Sequence, residues 1–383
     1  MRLVLAGGGT GGHLFPGIAL AEELLARGSE HAVLFMGARG GLEEKIVPRH
    51  SYRLEVLPSL KGGFLSFSGP RKAWLGCKGY LQARRTILNF GADAIAGLGG
   101  YASALPLLAG WGVEVPSLIL EQNAIPGRTS RALARFADEI GVQFHAAAKR
   151  FPNPRLVKLV GNPLRRKVLA AAKLATERNT EVAGVPEEPT ILVIGGSQGA
   201  KALNDIAVHA WPRIKQIIPG ARMTIVSGPE DERRVMQAFA AVGGRGRVLG
   251  FTEAMEDLYA QADVVLARAG ATTLAEIAAF ALPSVLIPYP FAVDNHQVEN
   301  ASLFVARGAG WMMLQQNVEL DRLAQRLADA VLQPARRRTM AMAASSMATP
   351  QAATEIINRL LALSEQRNAA ATAQANGAMA KVA

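Results

Sequence analysis

Short apolar runs alternate along this chain with stretches in which apolar residues recur every three or four positions. The runs RLVLAG, HAVLFMG, RLEVLP, DAIAGLGG, PSLILEQN and DEIGV read as strands in the first half. The runs TILVIGGSQGA, ARMTIVSG, RVLGF, DVVLAR, SVLIPY and GWMML do so in the second. Helical spacing fills Gly12 to Arg27, the short LEEKIVPRH, Arg71 to Asn89, and then Leu320 to Gln333, Ala335 to Met347 and Gln351 to Leu363. Strands alternating with helices predict an α/β protein built on parallel sheets.

The pattern starts twice. Each half begins with a buried strand running into a glycine-rich turn, GGGTGGH at Gly7 to His13 and GGSQGA at Gly195 to Ala200. This repeat predicts two doubly wound domains facing one another. Gly161-Asn162-Pro163 closes the first half, so residues 1–164 form the first domain. Residues 165–189 are Ala-rich, then polar, with Gly184, Pro186 and Pro189, and read as a linker. A second domain is expected over 190–345, a terminal helix over 346–364, and a disordered tail over 365–383, which holds almost no large apolar residues.

Composition agrees. A length of 383 residues exceeds one ordinary core, and 50% apolar with 19% charged residues is globular. The single cysteine, Cys77, excludes an intrachain disulfide and a multi-cysteine zinc site, and is expected to pack as a small buried or interfacial hydrophobe. The apolar start LVLA is too short for a secretory leader. Ala94 to Val113 holds 20 residues without a charge, but five glycines and Pro106 make it a strand, loop and helix rather than a membrane span.

The net charge of +11 suits anionic partners, and its distribution matters more than its size. From Val56 to Ala92 no acidic residue occurs, while Lys61, Arg71, Lys72, Lys78, Arg84 and Arg85 all do. Phe64, Leu65, Phe67, Trp74 and Leu75 are interleaved with them. Such a segment fits an anionic membrane surface; the plainer alternative is a solvated helix face with its apolar residues turned inward. A non-enzymatic nucleic-acid or membrane binder would explain the charge but leave Glu276, Gln297 and Asn300 without a purpose, so no nucleic acid is expected.

Those three residues lie in the stretch RAGATTLAEIAAFALPSVLIPYPFAVDNHQVEN, from Arg268 to Asn300. Strand, glycine turn, helix start, strand and polar cluster is how an open α/β sheet presents ligand-binding groups at the carboxyl ends of its strands. N–H groups at the helix start favour an anion. Glu276, one turn in, is placed to accept from a pair of sugar hydroxyls. Gln297 and Asn300 share a face if helical. Gly7 to Gly12 matches G-x-G-x-x-G, but the second strand ends FMGAR without the carboxylate that a nicotinamide site wants, which opposes an oxidoreductase. Neither turn is followed by G-K-[ST]. Two helix starts suited to phosphates remain, one for a nucleotide-diphosphate donor and one for a phosphorylated acceptor. His13, just past the first glycine cluster, is a candidate general base or phosphate contact.

Six segments together, AGGGTGGHLFPGIALAEEL, GLGGYASALP, EQNAIPGRTSR, GNPLR, GGSQGA and RAGATTLAEI through VDNHQVENA, resemble the peptidoglycan N-acetylglucosaminyltransferases that convert lipid I to lipid II. The resemblance runs from Leu3 to about Asn300, and more weakly to about Leu360. It implies the GT-B architecture, two Rossmann-like doubly wound domains facing across a cleft. It also implies UDP-N-acetylglucosamine as donor, bound by the C-terminal domain, and lipid I as acceptor, bound by the N-terminal one. Transfer would be metal-independent, would need no cofactor, and would invert the sugar carbon. The expected location is the cytoplasmic face of the bacterial inner membrane, held peripherally through Lys61, Phe64, Phe67, Arg71, Lys72, Trp74 and Lys78, with cell-wall synthesis proteins as candidate partners.

By the same resemblance, Thr10, Gly11 and Gly12 line the diphosphate cleft, Asn123 contacts the donor sugar and Arg165 reaches the uracil. Ser197 supplies a hydroxyl at the second glycine turn, and the backbone of Thr252 reads uracil. Ala271, Thr272, Thr273, Leu274, Ala275 and Glu276 form the helix start over the diphosphate, with Glu276 on the ribose. Gln297 and Asn300 hold sugar hydroxyls, while His13 and Tyr101 match the acceptor side. Departures are the longer Ala-rich linker, the tail, and a loop before Asp294 that is a residue longer than usual. His13 leads as the base, with Glu121 second. A glycolipid synthase of the same fold acting on diacylglycerol would share the donor half, but the acceptor motifs TGGH and GGYAS argue against it.

Overall fold

The computed structural model describes residues 1–59, 70–180, 184–196 and 199–380, side chains of 70–72 and 374–380 excepted. The chain divides into two compact units, one of Met1–Arg165 with Gln351–Ala383, the other of Arg166–Pro350.

The first unit holds seven strands: β1 Arg2–Gly7, β2 Ala32–Ala38, β3 Arg53–Leu57, β4 Ala94–Gly99, β5 Ser117–Glu121, β6 Glu139–Val142 and β7 Val157–Leu159. They form one parallel sheet in the order β3-β2-β1-β4-β5-β6-β7. The second unit holds six: β8 Thr190–Ile194, β9 Arg222–Val226, β10 Gly246–Leu249, β11 Val264–Ala267, β12 Ser284–Leu286 and β13 Gly310–Met312. Their order, β10-β9-β8-β11-β12-β13, is again all parallel. Both follow the Rossmann plan, in which the strand order reverses beside the first strand and a ligand crevice opens at the carboxyl ends there. Continuous apolar runs make these strands because both faces of each sheet are covered: Leu3, Val4, Leu5 and Ala6 are all inaccessible to solvent.

The linker expected over 165–189 is corrected in its larger part. Arg166–Thr180 is a helix of the second unit. It buries Val168, Ala172, Ala175 and Asn179, and the Asn179 amide donates to the Phe280 carbonyl at 2.8 Å. The terminal helix expected over 346–364 is present with other bounds. Ala352–Ala380 belongs to the first unit and packs Ile356, Ile357 and Leu360 into its core beside Leu14, Ile18 and Leu24. Arg27 donates to Asn358 at 2.7 Å, and Arg359 pairs with Glu139 at 3.2 Å. This helix continues through most of the segment expected to be disordered, because alanine forms helix well even where it buries little. Cys77 is exposed rather than buried.

Candidate active site

In the first unit the site residues gather where β1 and β4 end. A register shift after Ala6 brings Gly7 opposite Gly99. A Cβ on Gly7 would lie 2.8 Å from that of Leu98 and 2.9 Å from the Gly99 carbonyl oxygen, so the two turns meet this closely because Gly7 has no side chain. The glycine-rich loop then enters the helix Gly11–Leu25. Thr10 is exposed at its N-cap, and its Oγ1 lies 3.2 Å from Nδ1 of the half-buried His13. Tyr101 borders the same loop, its Cε1 within 3.6 Å of a Cβ built on Gly9.

What shapes this loop is a residue that the motif does not contain. Glu43, 1% exposed, accepts from the Gly9 N–H at 2.8 Å and from the Ala38 N–H at 2.8 Å. Side chains at Gly8, Gly37 or Gly41 would collide with it. The Gly9 N–H of the first glycine turn is therefore taken by an internal carboxylate.

Glu121 ends β5 and is buried. Its Oε1 accepts from the Asn123 backbone N–H at 3.0 Å and side-chain amide at 3.2 Å, and its Oε2 accepts from the Gly127 N–H at 2.9 Å. This carboxylate folds the EQNAIPG loop and sets the direction of Asn123, so the second candidate for the base is committed elsewhere. Arg165, the last residue of the first unit, is buried with its guanidinium 4.7 Å from the Phe15 ring centroid.

In the second unit the equivalent edge carries most of the residues expected to bind the donor. Ser197 lies outside the described residues. After β11 the turn at Gly270 opens the helix Ala271–Ala279 with no side-chain cap, so its first-turn N–H groups are aimed along the axis from the sheet's carboxyl edge. Ala271, Thr272, Leu274 and Ala275 are buried, whereas Thr273 and Glu276 are half-buried. The helix Met255–Gln261 delivers Tyr259, whose phenol donates to Glu276 Oε2 at 2.9 Å. Thr252 closes the preceding turn, its Oγ1 accepting from the Ala254 N–H at 3.0 Å. Arg268, buried, donates to the carbonyls of Ile287 and Pro288 at 3.0 and 3.1 Å and to Gln315 at 2.6 Å, which fixes the loop after β12; burial pulls its pKa below the usual guanidinium value.

The helix His296–Ala306 places Gln297 and Asn300 on one face. Gln297 is half-buried and accepts from the Tyr289 N–H at 2.9 Å through Oε1. Asn300 is inaccessible to solvent and donates to the Ala269 carbonyl at 3.1 Å, bracing the Gly270 turn from behind. Sequence reasoning brought these residues to one edge but missed Tyr259, Glu43 and the bracing by Arg268. Their partners lie 17, 34 and up to 47 positions away, beyond the reach of any local period.

Two sheets of Rossmann order, each with a glycine turn at its crevice, and a carboxylate one turn inside a helix without a side-chain cap make crevices of the kind that take nucleotides. Models of the glycosyltransferase family 28 N-terminal and C-terminal domains match residues 3–142 and 190–359. The chain belongs to glycosyltransferase family 28. It is 40% identical over 366 residues to the UDP-N-acetylglucosamine--N-acetylmuramyl-(pentapeptide) pyrophosphoryl-undecaprenol N-acetylglucosamine transferase of Geobacter sulfurreducens, covering 94% of this chain and 98% of the relative. The like-named protein of Anaeromyxobacter sp. is 39% identical over 359 residues, covering 93% and 92%. Among solved structures, Acinetobacter baumannii MurG superposes with a TM-score of 0.72 at 27% identity, covering 94% of this chain and 99% of its own. A UDP-GlcNAc 2-epimerase from Neisseria meningitidis, at a TM-score of 0.63 and 11% identity over 94% of this chain and all of its own, shares the fold.

Proposed function

We propose that this chain transfers N-acetylglucosamine from UDP-N-acetylglucosamine to the 4-hydroxyl of the muramyl sugar of lipid I, with inversion, forming lipid II. The observation that carries the reading is relatedness along nearly the whole chain, through both the donor-type and acceptor-type edges, to transferases of that name.

His13 takes the proton of the acceptor hydroxyl as that oxygen bonds to the anomeric carbon. The bond from that carbon to UDP breaks, and its electron pair goes to the β-phosphate oxygen. The new charge is met by N–H groups at the start of the helix Ala271–Ala279 and by the hydroxyls of Thr272 and Thr273, with Ser197 expected beside them. Glu276 accepts from the ribose hydroxyls, Gln297 offers its Nε2 to the sugar, and Asn300 keeps the turn beneath them in shape. Thr10, Gly11, Gly12, Asn123, Arg165 and the backbone of Thr252 complete the donor contacts, and Tyr101 stands on the acceptor side with His13.

The enzyme works at the membrane face that meets cytoplasmic UDP-N-acetylglucosamine. No described helix is long and apolar enough to cross a bilayer, so the first unit is assigned a peripheral contact. Lys61, Phe64 and Phe67 lie outside the described residues, as do the side chains of Arg71 and Lys72. Trp74 and Lys78 stand on the outer face of the helix Pro70–Phe90.

UDP release from UDP-N-acetylglucosamine, measured with a lipid I analogue, with diacylglycerol and with neither, tests the assignment. Release that depends on the lipid I analogue is expected. Release that depends on diacylglycerol instead would overturn the acceptor. His13→Ala should lower turnover by ~10²–10⁴ with little change in UDP affinity. Near-normal turnover would remove the base from His13.

A further inference from the structure

Resting on His13 as the base, we infer that Gln122 is the positioning residue that fixes the tautomer of its imidazole. Gln122 follows β5 directly and is 4% exposed. Its Nε2 donates to the Leu98 carbonyl at 3.1 Å, which decides the orientation of the amide. Its Oε1 is consequently turned to the other side, buried and without a hydrogen-bond partner. Buried amide oxygens are seldom left so, because an acceptor taken out of water and given no donor costs free energy.

The side chain that shares the Gly99 turn with this oxygen is His13. Gly99, at φ +95°, stands between the two side chains: a Cβ built on it would lie 2.9 Å from His13 Cδ2, 3.2 Å from Nε2 and 3.6 Å from Gln122 Oε1. The imidazole therefore lies with its Cδ2–Nε2 edge on the Gly99 turn, on the side where the orphaned oxygen is. Its other nitrogen faces Thr10, with Oγ1 at 3.2 Å from Nδ1. An Nε2–H donated to Gln122 Oε1 holds the lone pair on Nδ1, which is the nitrogen on the exposed Thr10 side. A neutral amide fits this task. It accepts the N–H without drawing in a second proton, as a carboxylate would by stabilising the imidazolium. The ionisable groups on the elements packed around this turn include Glu43, Tyr101 and Glu121, with Glu44 and Lys45 on the Glu43 helix and Glu22 and Glu23 further along the His13 helix. Two of the carboxylates are engaged by backbone amides, Glu43 by Gly9 and Ala38 and Glu121 by Asn123 and Gly127.

The test uses the full chain with Gln122→Glu and Gln122→Met, each checked for a wild-type thermal unfolding midpoint. In Gln122→Glu the carboxylate raises the His13 pKa, so the acid limb of the kcat/KM profile moves to higher pH, by about one unit. In Gln122→Met kcat falls ~10- to 100-fold while KM for UDP-N-acetylglucosamine stays within about twofold. Histidine 15N NMR of the uncomplexed protein gives a readout that needs no turnover. Wild type should show the His13 ring protonated at Nε2, and Gln122→Met should show a mixture. An unmoved acid limb in Gln122→Glu, or a wild-type ring protonated at Nδ1, would overturn the inference. The base assignment fails separately, through an active His13→Ala. An inactive His13→Ala beside an unmoved acid limb in Gln122→Glu removes Gln122 alone. If either variant does not fold, the wild-type tautomer decides.

Discussion

The phenol of Tyr259 donates to Glu276 Oε2 at 2.9 Å, although the tyrosine ring has no access to solvent and the carboxylate stands at the edge of the site. One oxygen of the carboxylate is thus held from within the core, and the group is aimed before a ligand arrives. Preorganisation of this kind lowers the cost of ordering a side chain on binding. Glu276→Ala should weaken UDP binding roughly 10- to 100-fold, in line with charge-assisted hydrogen bonds of about 1.5–3 kcal/mol. Tyr259→Phe retains the ring stacked on Phe280 at 5.2 Å and removes only the aim. It should weaken UDP roughly three- to tenfold. Titration calorimetry separates the two, and equal losses would show that Tyr259 does more than orient.

The same pair makes stability depend on alkali. Burial first, then the Glu276 charge and hydrogen bond, push the Tyr259 pKa well above the ordinary phenol value. Tyr52 moves the same way through burial and then Glu22. In the unfolded chain both phenols lose their protons near pH 10, while the folded state keeps them. Above that pH the unfolded state binds fewer protons, so stability is fully present below about pH 10 and is lost as pH rises toward the folded values. Tyr259→Phe should flatten that alkaline loss in urea unfolding followed between about pH 9 and 11. An unchanged slope would mean that this phenol ionises in the folded protein as it does in water.

Glu43 should matter more for folding than its distance from any reacting group suggests. Two backbone N–H groups, of Gly9 and Ala38, depend on its carboxylate at 2.8 Å each. Glu43→Ala leaves both without that acceptor, and Glu43→Gln turns an NH₂ group against one of them. A loss of about 2–4 kcal/mol is expected in Glu43→Ala, at one to two per orphaned amide. Denaturant unfolding measures it, and a loss below about 1 kcal/mol would mean that water replaces the carboxylate.

The parts of this fold that were legible are those whose cause is local. Leu3 to Ala6 and Val264 to Ala267 are continuous apolar runs because both faces of each strand are covered, and such runs stand out without any partner in view. The glycine turns at Gly7 and Gly195 were visible for the same reason. The helix Arg166–Thr180 was not, since its inward positions are Val168, Ala172, Ala175 and Asn179, and alanine counts weakly in any hydrophobic period. Strand β7 escaped because Val157 to Leu159 is only three residues long and forms the sheet edge, half-buried or exposed. Glu276 could be read as a ligand group from its place one turn into a helix. Tyr259 could not, because what recruits it is a stack on Phe280 that exists only after the sheet has closed.

The helix Pro70–Phe90 offers the last test, of where the protein works. Trp74 is 62% exposed, Leu81 57% and Leu88 51%. Spaced by seven, these residues lie on one stripe of the helix, and Lys78, Arg84 and Arg85 are exposed beside them. Trp74 therefore does not pack inward, and the Lys78 ammonium rests 5.3 Å from its ring centroid. The neighbouring helix Ala104–Trp111, packed against this one, ends in Trp111, also 57% exposed. Apolar groups ringed by cations suit the interface of an anionic leaflet, where each cation contributes about 1 kcal/mol and the rings enter the acyl boundary. Charge reversal by Lys78→Glu, Arg84→Glu and Arg85→Glu together should abolish flotation with phosphatidylglycerol vesicles, and salt well above 0.1 M, where the Debye length falls below about 10 Å, should weaken the wild type. Trp74→Ala with Leu81→Ala should reduce binding in a way that salt does not modulate, because that part of the attachment is apolar. UDP affinity should be unchanged in all of these variants, since none of the substituted residues is among the donor contacts. Equal flotation of the wild type and the triple reversal would leave the stripe without a membrane role.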